Sequence, residues 1–146
     1  MKKYIITIII SLLIGFLLSN QLLNNYNQNI LNVFNESKTA YLIQQGVYST
    51  LESMKKNTSN LPNYIYSNID NMYYVYIGIT LDSENVVKLQ NYYKNKNIDT
   101  IIKTTTINEK NIISSLEQYD IFLKNTTDES TIKEIIKQVL EKYKGE

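Results

Sequence analysis

The chain of 146 residues contains no cysteine and no histidine. The first absence excludes disulfides, thiolate metal sites, a thiol nucleophile and a lipoprotein anchor. The second removes the usual zinc ligand and proton carrier, so no metal site and no imidazole acid–base chemistry is expected. Arginine is absent as well, all 15 basic residues being lysine, and the formal net charge is +1. Such a balance gives no electrostatic footprint for nucleic acid. In place of the missing types, asparagine, isoleucine, lysine and tyrosine are used heavily. This is the codon bias of an AT-rich genome, and it lowers the weight of any single Asn, Lys or Tyr as a functional signal.

The start reads Lys2-Lys3 and then a nearly unbroken apolar run from Tyr4 to Leu18, continuing to Leu22 and Leu23. A span needs about 20 residues to cross the hydrocarbon core, so the run reaches across with modest tilt or thinning. A cleaved signal peptide is the competing reading, but no small-x-small cleavage site follows the run. Residues 1–23 are therefore expected to be a cytoplasmic start and a retained transmembrane helix. The lysines before it put the N-terminus inside and the rest of the chain outside the cytoplasm. The polar stretch over 24–37, uncharged as far as Asn35, reads as a spacer.

Beyond it, Thr39 to Tyr48 has strand composition, and Ser49-Thr50-Leu51-Glu52 fits a capping box that opens a short helix closed near Pro62. Tyr64-Ile65-Tyr66 begins a second strand, Asn68 to Asn71 has turn composition, and Met72 to Thr80 is the strongest strand. Asp82 is a good N-cap for a helix to about Lys96, with Leu81 and Val86 as its hydrophobic staple. Asp99 to Ile107 returns as strand. The order β-α-β-β-α-β predicts an α+β fold: a four-stranded antiparallel sheet in ferredoxin-like order with helices on one face.

Alternation along the strands predicts that Ile43, Ile65, Val75 and Ile77 point into the core. Gln44, Gly46, Tyr64, Tyr66, Tyr74, Tyr76 and Gly78 then share an open face. From residue 108 to the end the pattern is helical. Ile112, Leu116, Tyr119 and Leu123 form one stripe, and Ile132, Ile135, Ile136, Val139, Leu140 and Tyr143 a second. They predict a C-terminal helical hairpin packed on the domain, with a partner-docking helix as the alternative.

The pattern Tyr41-x-Ile43-Gln44-x-Gly46-x-Tyr48-Ser49, followed by a helix, a hairpin and Tyr74-Val75-Tyr76-Ile77-Gly78, resembles the SPOR domain. The resemblance covers about 38–107 and implies binding of peptidoglycan glycan strands stripped of their stem peptides, through the open sheet face. Tyr74 stands where that family carries arginine, and Tyr48 where it carries phenylalanine; residues 108–146 have no counterpart in it. The anchored plan also resembles the stage II sporulation protein B type of Gram-positive endospore formers, which implies a place at a division or sporulation septum.

A sugar ring has apolar faces and a polar rim, and tyrosine and glutamine offer flat amphipathic surfaces and amide groups to match. Gln44, Gly46, Tyr64, Tyr66, Tyr74 and Tyr76 are thus the candidate glycan-binding residues, with Gly46 allowing close approach to backbone. The plainer role for the tyrosines is strand formation. Sheet aromatics also read single-stranded RNA, but the matching motif and the positive charge are both missing. For an enzyme, no set of nucleophile, base and oxyanion donors stands out. Asp82 and Glu84 are explained by helix capping, and Asp120, Asp128 and Glu129 read as solvated surface. A non-enzymatic, cofactor-free module is expected, its alternative being a membrane-tethered scaffold that binds a protein partner through the C-terminal helices or the sheet.

Overall fold

The computed structural model describes residues 37–144, and the expected anchor and most of the spacer lie outside that range. Ser37–Glu146 forms one compact unit. Its elements are β1 (Lys38–Tyr48), α1 (Leu51–Thr58), β2 (Ile65–Ile69), β3 (Met72–Thr80), α2 (Ser83–Lys94), β4 (Ile101–Ile107), α3 (Lys110–Asn125) and α4 (Glu129–Lys144). The strands make a four-stranded, wholly antiparallel sheet in the order β2-β3-β1-β4. Among the described residues, no helix is long and apolar enough to cross a membrane.

Local chemistry sets most boundaries. Thr50 rather than Ser49 caps α1, its hydroxyl accepting from the Ser53 backbone N–H. Asp82 caps α2 by accepting from Glu84 N–H at 2.7 Å. The β2–β3 turn is tighter than its composition suggested. Asp70 and Asn71 both take positive φ, 53° and 61°, and Ile69 pairs directly with Met72. Two left-handed residues match the twist of a hairpin, and Asp and Asn tolerate that region best after glycine.

The register between β1 and β3 is broken twice, between Ile43 and Gln44 and between Gln44 and Gly46. Ile77 and Gln45 are the residues left without a cross-strand partner. Such bulges flip the alternation locally. Each irregularity is met by a tyrosine: the Tyr93 hydroxyl donates to the Ile77 carbonyl, and the Tyr48 hydroxyl to Gln45 Oε1 at 2.8 Å. Burial pushes the Tyr93 phenol up, so it stays the proton donor that the buried Ile77 carbonyl requires.

These bulges correct the expected facing. Gly78 lies opposite Ile43, and a Cβ there would sit 3.1 Å from Ile43 Cγ1 and 3.5 Å from Leu89 Cδ1. It therefore faces α2, not the other side of the sheet. Gly46 pairs with fully buried Val75 and also leaves Gln44's face. On β2 the expectation is inverted, because Ile65 pairs with Tyr76 while Tyr66 pairs with Val75.

Both faces of the sheet are covered. The adjacent pairs Leu42–Ile79 and Ile43–Gly78 point in opposite directions, yet all of these residues are buried. Gly78 assigns the Ile43 side to α2. Lys38, two pleats from Leu42 on the other side, forms an ion pair with Glu117 of α3, which assigns that side to the C-terminal helices. The predicted helical hairpin is there, and it closes the face expected to be open. Ile112, Leu116 and Leu123 of α3 and Ile132, Ile135, Ile136, Val139 and Leu140 of α4 are buried in the same core as the sheet.

Candidate functional site

The C-terminal helices are fixed to the sheet in two ways. On α3, Asp120 is buried and accepts from the Thr80 hydroxyl, from Leu81 N–H at 2.8 Å and from Asn85 Nδ2 at 3.1 Å. This corrects its reading as solvated surface. One carboxylate ties the end of β3 and the start of α2 to α3. Burial pushes its pKa up, and the three donors oppose that shift without cancelling it. Lys88 adds a clamp by donating to the Leu123 and Lys124 carbonyls at 2.5 and 3.2 Å, which would otherwise be orphans at a helix end.

Helix α4 is held differently. Asp128 caps it, accepting from Thr131 N–H at 2.8 Å and from the Ser130 and Thr131 hydroxyls, and these donors bring its carboxyl down to about 2. Lys96 reaches Glu129 at 2.8 Å and lies 4.6 Å from the Tyr92 ring centre. The rest of its attachment is the apolar stripe. Beneath it the match is imperfect: Gln44 is only 3% exposed, yet its Oε1 has no hydrogen-bond partner, and the Ser67 hydroxyl is likewise buried and unpaired. Each such group costs roughly 1–3 kcal/mol. Burying each Val, Leu or Ile is worth roughly 1.5–3 kcal/mol, so the stripe as a whole outweighs them and the helix stays down.

The six candidate glycan-binding residues are consequently split. Gln44 is sealed beneath the C-terminal helices. Gly46 has turned to the α1–α2 side, under the Tyr48 ring. Tyr74 is half-buried opposite Val47 and Ser67. Tyr64, Tyr66 and Tyr76 do come together, along a groove of about 700 Å³ between the β2 edge and the last turns of α4. Tyr66 forms part of the wall from the edge strand, while its ring tilts toward Tyr73 with 6.0 Å between centres. The opposite wall is Lys137, Leu140, Glu141 and Tyr143, and Asn63 and Ser67 add an amide and the unpaired hydroxyl.

No family model, curated protein or solved structure matches this chain. The groove must therefore be read from its own chemistry. It combines phenol rings, an amide, a hydroxyl, one ammonium and one carboxylate around an apolar floor of Ile65 and Leu140. Mostly apolar walls with a few convergent polar groups are the common composition of a small-ligand site. Among the described residues no group of acidic side chains could hold a metal ion. Sequence reasoning missed the α4 wall entirely. Tyr143 ends the apolar stripe of that helix, a hint that its last turn meets the sheet, but nothing in the spacing says which strand it reaches.

Proposed function

We propose that this chain is a non-enzymatic, membrane-anchored glycan-binding module, directed to peptidoglycan strands outside the cytoplasm at a division or sporulation septum. The observation that carries the reading is the meeting of Tyr64 and Tyr76 with Tyr143 in one groove, which Tyr66 borders from the edge strand. A sugar ring there finds flat amphipathic walls for its faces and the Asn63 amide for its hydroxyls. The interleaved strand order, in which each strand–helix–strand unit brackets a strand of the other, supports a ferredoxin-like, SPOR-like frame. The binding surface differs from the one the resemblance implies: it lies at the β2 edge and not on the sheet centre. The apolar run after Lys2 and Lys3 supports the anchor and the outward orientation.

The test is a pull-down of the chain on peptidoglycan before and after amidase treatment, with Tyr64→Ala as the site variant. Retention on the treated material, weakened at least fivefold by the substitution, is expected. Absence of the protein from both materials rejects the reading.

A second reading has its own observation. Ile121 and Phe122, consecutive on α3, are 61% and 62% exposed. They favour a tethered scaffold with a protein partner, although the apolar stripes of α3 and α4 are already spent on the chain's own core. Phe122→Ser separates the two, since septal localisation lost with glycan retention intact assigns the localisation to a protein partner.

A further inference from the structure

The groove carries one ammonium and one carboxylate that are not paired with each other. Glu141 lines it, and among the described residues it has neither an ion-pair nor a hydrogen-bond partner. The neighbouring Lys137, one helical turn back, does not neutralise it: its ammonium lies 3.9 Å from Glu134 instead. The spacing of Lys137 and Glu141 would have allowed a pair. Tyr64, Tyr76 and Tyr143 line the same groove. Tyrosine faces carry partial negative charge and attract cations, more strongly where water is partly excluded.

We propose that the groove selects a glycan carrying protonated amines, that is, hexosamine units without their N-acetyl groups. The inference rests on the glycan reading above and narrows it. An acetylated unit presents a neutral amide and leaves Glu141 without a counter-charge. A free amine presents an ammonium that Glu141 pairs with while the ring lies against the tyrosines, which satisfies the carboxylate and the aromatic wall together. For a groove open to solvent such a pair is a modest effect, about three- to fivefold in affinity.

The experiment is calorimetric titration of the full chain in detergent micelles with the β-1,4-linked glucosamine tetramer and with its N-acetylated counterpart, at pH 6 and at pH 9. The free-amine tetramer should bind about three- to fivefold more tightly at pH 6, and the ratio should approach one at pH 9, where the amines have lost their protons. Glu141→Gln should abolish the ratio at pH 6. Glu141 is on the surface, so this substitution leaves the core untouched. Equal binding of the two tetramers, or a ratio that survives Glu141→Gln, overturns the amine inference and leaves the glycan reading standing. No binding of either tetramer removes the glycan reading itself, and the inference with it.

Discussion

Under α1 and α2 the sheet presents Ile43, Val75 and Gly78, packed so closely that a Cβ at residue 78 would press on Ile43, and the bulged Ile77 carbonyl accepts from the Tyr93 hydroxyl. Under α3 and α4 it presents Leu42 and Ile79, but also Gln44 and Ser67 with unpaired oxygens. The first face is matched atom by atom. The second is sealed by bulk apolar burial over a strand that still carries polar groups, and the seam between α4 and β2 remains open as a groove. What covers a sheet can thus be strong without being well fitted, and the misfit marks where chemistry is left over.

The largest effect should come from the second face. Ile136→Ala, on the buried side of α4, should destabilise by about 2–5 kcal/mol in urea unfolding, because a cavity there adds to the lost burial. A cost below about 1 kcal/mol would mean that α4 is only loosely applied and that the face is open after all. Deleting residues 108–146 strips the same surface, so that truncation should not leave a folded domain.

Next, Asp120→Ala removes the acceptor shared by Thr80, Leu81 and Asn85 and should cost about 1–3 kcal/mol. Its pH dependence has a definite sign. The native pKa is raised, so the folded chain holds this proton more tightly than the unfolded chain does. The contribution of this group to stability is therefore greatest in acid and declines as pH rises from the ordinary carboxylate value of 3.8 through the raised native one. Asp120→Asn should flatten that part of the stability–pH curve, and a curve identical to the parent's would contradict the burial.

On the first face, Gly78→Ala must displace Ile43, which is fully buried and branched. It should cost about 1–3 kcal/mol by overpacking. Gly46→Ala meets only the far end of the Tyr48 ring, which can swing away, and should cost less. The smallest effect, and the sharpest contrast, is Gln44→Leu. Because its Oε1 has no partner, replacing the amide should be neutral or stabilising by up to about 1 kcal/mol. A clear loss of stability would show that the two faces are equally well matched.

Much of the frame was legible in the sequence. The Met72–Thr80 strand, the Asp82 cap and the α4 stripe each carry a local signal, a branched run, a capping carboxylate or a 3–4 spacing, that survives without tertiary information. The departures arise where tertiary packing overrides the local pattern. Alternation was followed along β1 and β3 as if unbroken, and two bulges, which no residue type announces, turned Gly46 and Gly78 over. Ile65 was assigned inward because only one face was expected to be covered. Asp120 was read as surface because its partners lie 35 to 40 residues away. The groove shares this difficulty: its β2 wall was visible as tyrosines, and its α4 wall exists only once the helix is laid across the strand.

The central claim is that α4 stays on the sheet while ligand binds beside it. Amide chemical shifts of the full chain in detergent, followed as the glucosamine tetramer is added, test this most directly. Shifts are expected at Tyr64, Ser67, Tyr76 and Glu141, with hydrogen exchange across Ile132–Leu140 unchanged. Shifts centred on Gln44 and Leu42, accompanied by faster exchange along α4, would contradict it.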